Sequence, residues 1–152
     1  GAFEMAATLD YMFAFAATTD AVSDHHFDAL FEAYITDEDV RKFADVSGDV
    51  NPIHLDEDYA ASTRFGQRIA HGMLSVSIIS GILGNTLPGL GTIYLGQNIK
   101  FTAPVFIGDE VTATVELIKY REDKRIATFR TTCTKADGTM VMDGEATVIA
   151  PE

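Results

Sequence analysis

The sequence predicts an α+β domain in which one antiparallel sheet wraps around a single central helix. Residues 69–83 are apolar nearly all round a helix and contain no Asp, Glu, Lys or Arg, which is typical of a helix enclosed by other elements. Strand-like runs follow a turn at 88–91, and their short connections favour antiparallel neighbours. A single sheet hides such a helix only by curling around it, which is the arrangement called a hot-dog fold.

The chain divides into an N-terminal extension and one domain. Residues 1–26 carry little periodic pattern, and we expect this extension to be partly disordered. A length of 152 residues suits one domain, which we place at 27–152. The domain begins with a short apolar-rich run at 27–35 that predicts a strand.

Two capping patterns predict helices ahead of the central one. Thr36 is followed three residues later by Asp39, which predicts a capping box and a helix that ends before Gly48. Asp56 is placed to cap a second, short helix that stops near Gly66.

The C-terminal part of the chain predicts four strands joined by short turns. The predicted strands are 92–101, 109–120, 125–135 and 140–149. Asp137-Gly138 lies between the last two runs and is a strong hairpin signal. We therefore expect these strands to neighbour each other in sequence order.

Charge and cysteine content limit the partners and the compartment. The formal charge is −12, from 11 Lys plus Arg against 23 Asp plus Glu, and such a surface repels nucleic acid and anionic membranes. An anionic ligand would need a local basic patch, which the sequence does not locate. The single cysteine, Cys133, allows no intramolecular disulfide, so a reducing cytoplasm is expected, and its strand-like setting predicts a core residue.

The segment from Ser47 to His54 carries the chemistry. Asp49 and His54 lie five residues apart across a turn opened by Gly48 and stiffened by Pro52. A carboxylate beside an imidazole can hold and deprotonate one water near neutral pH. The alternative is structural, with Asp49 as a turn ligand and His54 as a buried core residue.

Metal, nucleotide and hydrolase motifs are missing from the sequence. Asp49-x-Asn51 resembles the start of a calcium loop, but His54 stands where that loop requires Gly. Neither a zinc-ligand spacing, nor a glycine-rich phosphate loop, nor a G-x-S-x-G elbow occurs. We therefore predict no metal and no cofactor.

His71-Gly72-Met73 begins the predicted central helix, where backbone N–H groups are free and the helix dipole is positive. An N–H near Gly72 would stabilise negative charge that develops on a carbonyl oxygen. The alternative is close packing that admits only glycine.

Taken together, four segments resemble the MaoC-like dehydratases, and specifically the (R)-specific enoyl-CoA hydratases. They are Phe43-Ala44-x-x-Ser47-Gly48-Asp49-x-Asn51-Pro52-x-His54, Ile69-Ala70-His71-Gly72-Met73-Leu74, Tyr94-Leu95-Gly96-Gln97 and Pro104-Val105-x-x-Gly108-Asp109. The resemblance covers about residues 36–150, in order and without large gaps.

The resemblance implies a homodimeric hot-dog enzyme that adds water reversibly to a trans-2-enoyl-CoA, giving an (R)-3-hydroxyacyl-CoA. It implies that Asp49 and His54 hold the reacting water and that the Gly72 N–H binds the thioester carbonyl. It also implies that Ser80 orients the catalytic Asp. Two alternatives remain: a 3-hydroxyacyl-ACP dehydratase of fatty-acid synthesis, and a non-catalytic module that binds acyl thioesters.

Overall fold

Five antiparallel strands and four helices form residues 27–152, the part of the chain that the computed structural model describes. The predicted extension at 1–26 lies outside the described residues. The strands are β1 Asp28–Tyr34, β2 Ile93–Phe101, β3 Glu110–Arg121, β4 Ile126–Lys135 and β5 Met140–Ile149. The helices are α1 Asp37–Ser47, α2 Pro52–Leu55, α3 Glu57–Ala61 and α4 Gly72–Asn85, with a 3-10 turn at Glu122–Lys124.

The strands form one sheet in the order β1-β3-β4-β5-β2. All predicted strands are present, and the α+β hot-dog fold is confirmed. The expectation that consecutive strands are neighbours holds from β3 to β5 but is wrong for β2. This strand pairs with β5, because the connection through Pro104 and Gly108 carries the chain to the opposite side of the sheet.

Alternation along β3 and β4 gives the sheet one buried face. Val111, Ala113, Val115 and Leu117 are buried in β3, while the residues between them point to the other face. Cys133 is buried in β4, and burial raises the pKa of its thiol to about 11. It is therefore a neutral core residue, as predicted.

Local signals set the ends of the shorter elements. The Thr36 side chain accepts from the Asp39 N–H at 3.1 Å, and Asp39 accepts in return from the Thr36 N–H at 2.9 Å. Gly48 ends α1 with a φ of 76°, a conformation that glycine adopts without strain. Asp56 accepts from the Tyr59 N–H at 2.8 Å and caps α3. Both predicted caps are confirmed.

Helix α4 lies against the inner face of the sheet and contacts β1, β2 and β3. Its buried face includes Ile79 and Leu83, each at most 1% exposed. The sequence predicted enclosure on every side, but Ser77, Ser80 and Gly81 are exposed. The sheet of one chain covers only one side of the helix, and the uncovered side carries mostly small residues. No helix among residues 27–152 is long and apolar enough to cross a membrane.

Candidate active site

The loop between α1 and α2 fixes Asp49 through its own backbone. The Asp49 Oδ1 accepts from the Asn51 N–H at 3.2 Å, and the Asn51 side chain accepts from the Ile53 N–H at 3.2 Å. Pro52 occupies the first turn of α2, where no backbone donor is needed. Asp49 therefore is a turn ligand through one oxygen, while its second oxygen remains available.

His54 has a defined tautomer. Its Nδ1 lies 2.7 Å from the Ile69 carbonyl oxygen, which can only accept, so Nδ1 carries the proton. The Nε2 atom is then an acceptor and lies 3.9 Å from the Asp49 Oδ2. The His54 side chain is 11% exposed and that of Asp49 51% exposed. The structure thus brings together the two residues that the sequence singled out.

A separation of 3.9 Å between Asp49 Oδ2 and His54 Nε2 is too long for a direct hydrogen bond and fits one bridging water. A water with two bonds of about 2.8 Å would span it at an angle of about 90°. Both atoms accept, so such a water would donate both hydrogens and keep its lone pairs free. This geometry suits a water that attacks an electrophile.

Burial keeps His54 neutral. Desolvation lowers the pKa of His54 below its ordinary value of 6.5, and the adjacent His71 lowers this pKa further. The hydrogen bond to Ile69 and the charge of Asp49 oppose this shift without reversing it. At neutral pH the Nε2 lone pair is therefore available to the water.

His71 is a structural partner that the sequence reasoning missed. Its Nε2 donates to the Asp49 carbonyl at 2.9 Å, and its ring stacks on that of His54 with centroids 3.8 Å apart. The side chain is 3% exposed, and its Nδ1 has no hydrogen-bond partner among the described residues. The sequence marked His71 only as the start of a helix, and its spacing from Asp49 carries no signal of contact.

Arg68 is a second buried residue that the sequence reasoning missed, and it contacts the backbone of His54. Its Nε donates to the His54 carbonyl at 2.7 Å, and its guanidinium pairs with Asp37 and lies 3.7 Å from Glu57. The side chain is 8% exposed. This buried cation joins α1 and α3 to the end of α2, and no local pattern in the sequence indicates it.

Asp49, His54 and His71 have possible metal-ligand atoms within 4.8 Å of one another. The two imidazoles are stacked with an interplanar angle of 27°, so their in-plane lone pairs do not converge on one ion. The His71 Nε2 also carries the proton that it donates to Asp49. The arrangement fits a water better than a metal.

A cavity of about 410 Å³, bordered by α4 and β2, has His54 in its wall. Its lining includes His54, Gly72, Ser75, Phe101, Val105 and Val141. Gly72 begins α4, where the first backbone N–H groups have no partner within the helix. A Cβ at this position would lie 2.8 Å from the Phe101 ring. The contact with Phe101 fits the interpretation of close packing, and the role of the Gly72 N–H as a donor to a carbonyl oxygen stays a prediction.

Among the predicted site residues, Ser80 is the one that the fold of this chain does not bring to Asp49 and His54. It lies on the exposed side of α4, outside the cavity lining, whereas Ser75 is 3% exposed and lines the cavity. The interpretation of Ser80 as an orienting residue therefore stays a prediction.

A carboxylate and a neutral imidazole whose facing atoms lie 3.9 Å apart define a site for acid–base chemistry. The MaoC like domain model matches residues 18–139, and the chain belongs to this family. The chain is 50% identical over 134 residues to an (R)-specific enoyl-CoA hydratase of Rhodospirillum rubrum, covering 84% of this chain and 92% of the relative. It is 52% identical over 113 residues to an (R)-specific enoyl-CoA hydratase of Aeromonas caviae, covering 74% and 84%.

A solved (R)-hydratase structure from A. caviae has the same fold. It matches with a TM-score of 0.81 and 46% identity, covering 86% of this chain and 99% of that one. The family resemblance inferred from the sequence is confirmed.

Proposed function

We propose that the chain is an (R)-specific enoyl-CoA hydratase, with Asp49 and His54 as its catalytic pair. The observation that carries this proposal is the 3.9 Å gap between Asp49 Oδ2 and His54 Nε2, two acceptor atoms next to an apolar cavity. The 50% identity to a curated hydratase over most of both chains supports the same enzyme class, a lyase acting on acyl thioesters.

In the proposed reaction, the water held by Asp49 and His54 attacks C3 of a trans-2-enoyl thioester. One proton of the water passes to one member of the pair, and the same member then gives a proton to C2, so both groups end in their starting states. We assign the first transfer to Asp49, because burial and His71 oppose a charge on His54. Dehydration is the reverse path.

Negative charge develops on the thioester oxygen as water adds. We assign to the backbone N–H of Gly72, the first residue of α4, the stabilisation of this charge, because the positive end of the helix dipole favours the developing negative charge over the neutral carbonyl. Apolar residues such as Val105 and Val141 then surround the acyl chain.

We also propose that the enzyme is a homodimer. Met73 and Phe101 line the cavity yet are 53% and 50% exposed. The adjoining exposed side of α4 and the free edge of β2 would pack against a second copy, which completes the cavity wall. A cytoplasmic location is proposed with it, since the free, buried Cys133 suits a reducing compartment.

Hydration of crotonyl-CoA tests the proposed function. The enoyl absorbance should disappear, and the 3-hydroxybutyrate released from the product should be the (R) enantiomer. Preference for crotonyl-ACP would favour the dehydratase of fatty-acid synthesis instead. Binding of crotonyl-CoA without turnover would favour a non-catalytic module.

A further inference from the structure

Arg64 is the arginine in the lining of the cavity that includes His54. The cavity wall that includes His54 and Gly72 also includes Arg64 and Phe65, and the Arg64 side chain is exposed. A chain of net charge −12 repels an anionic substrate at long range, so binding of a CoA ester needs a local cation. Arg64 supplies that cation in the wall of the cavity that His54 also lines.

Among residues 27–152, no carboxylate competes with an anion for the guanidinium of Arg64. Its central carbon lies 4.8 Å from the centroid of the Phe65 ring, a cation–π contact that orients the group without neutralising it. No residue in 27–152 forms an ion pair with Arg64. The other five arginines each lie within 3.7 Å of a carboxylate oxygen: Arg41, Arg68, Arg121, Arg125 and Arg130.

We propose that Arg64 binds a phosphate group of the thioester's carrier arm at the cavity and so favours CoA esters over unphosphorylated thioesters. A planar guanidinium binds phosphate oxygens through paired N–H donors, and this geometry is not available to lysine. The inference rests on the proposed function, because it assigns the anion to the substrate of the Asp49 and His54 pair.

The test compares crotonyl-CoA with crotonyl-pantetheine, which has the same reacting group and no phosphate. In Arg64→Gln, the ratio of kcat/KM for the CoA ester to kcat/KM for the pantetheine ester should fall about five- to tenfold, as expected for loss of one partly exposed ionic contact. Arg64→Lys should retain part of this ratio because it keeps the charge. Lys124→Gln is the matched control: it removes one charge from an exposed residue outside the cavity lining, and the ratio should stay at the wild-type value.

A third substrate, crotonyl-4′-phosphopantetheine, identifies the phosphate. In Arg64→Gln, kcat/KM for this substrate is again divided by kcat/KM for the pantetheine ester. If this ratio falls as far as the ratio for the CoA ester does, Arg64 binds the 4′-phosphate. If only the CoA ester is affected, Arg64 binds the nucleotide phosphates. Suppose that the wild type hydrates both esters and that Arg64→Gln leaves the ratio of kcat/KM for the CoA ester to kcat/KM for the pantetheine ester unchanged. This result overturns the proposal for Arg64 and leaves the proposed function standing. A wild type that hydrates neither ester overturns the proposed function and this inference with it.

Discussion

The imidazole of His71 stacks on that of His54 at a centroid distance of 3.8 Å, while its Nε2 holds the Asp49 carbonyl at 2.9 Å. One buried side chain thus contacts both members of the proposed catalytic pair. Because His71 also precedes the first residue of α4, it ties the pair to the helix end at Gly72. We infer that His71 maintains the gap that the water occupies.

Replacement of His71 separates its two contacts. His71→Phe keeps an aromatic ring on His54 and loses the donor to Asp49, and it should lower kcat about tenfold, as expected for one buried hydrogen bond. His71→Gln can still place an amide N–H near the position of Nε2 and should retain more activity than His71→Phe. Steady-state kinetics of both variants, with thermal unfolding as a control for folding, check this order. Equal activity of the two variants would contradict a positioning role for the hydrogen bond.

The pH dependence of the wild type should report the environment of His54. Its Nε2 accepts from water only when the ring is neutral, so kcat/KM should fall as pH falls through the pKa of His54. Desolvation lowers that pKa from 6.5, so the acidic limb should lie below pH 6.5. In His71→Phe the limb should move to higher pH, because the neighbouring imidazole no longer disfavours a charge on His54. A wild-type limb above pH 6.5 would contradict this account.

Removal of either member of the catalytic pair should abolish most of the turnover. Asp49→Asn and His54→Ala are each expected to lower kcat at least a hundredfold, because general acid–base groups contribute about 10²- to 10⁴-fold. The double variant should be little worse than the worse single variant, since both side chains hold the same water. Activity within tenfold of the wild type in either single variant, with its fold intact by circular dichroism, would eliminate the pair.

The parts of this structure that the sequence predicted are those set by neighbouring residues. The capping box joins residues three apart, and Asp49 and His54 are five positions apart, joined by a loop that Asn51 and Pro52 turn into the start of α2. In both cases the chain between the partners is too short to allow many other arrangements. Their contacts follow from local backbone geometry.

The contacts that the sequence did not predict join distant segments. His71 reaches Asp49 across 22 residues, and Arg68 reaches Asp37 across 31. The pairing of β2 with β5 likewise depends on where the fold places an edge. No local sequence pattern indicates the partner of a buried His or Arg, because that partner depends on how whole helices and strands pack together.

Ser80→Ala should have a smaller effect than loss of the catalytic carboxylate. Ser80 is exposed on α4, so its removal leaves the Asp49 charge and the fold in place. We expect kcat to fall less than about tenfold, the range for one lost hydrogen bond. Kinetics of Ser80→Ala beside Asp49→Asn make the comparison. An equal loss in the two variants would mean that Ser80 acts directly on the water.

The last prediction concerns assembly. The edge strand β2 exposes Leu95 at 51% and Ile93 at 56%, beside the exposed side of α4, and an uncovered apolar edge of this kind favours pairing with another sheet. A second copy related by a two-fold axis would cover both surfaces and close two equivalent cavities. Hydratase activity should therefore fall with the dimer fraction on dilution.

Sedimentation and activity measured over one dilution series check this prediction, with Leu95→Lys as the disrupting variant. A charge at the paired edge should shift the monomer–dimer transition to higher protein concentration and move the loss of activity with it. Ile118→Lys is the matched control, because Ile118 is an exposed apolar residue of β3, which lies between β1 and β4 in the sheet, and the transition should not shift. A fully active monomer would refute the argument that a second copy completes the cavity wall. The proposed chemistry of Asp49 and His54 would still stand, since the gap between those two side chains is formed within one chain.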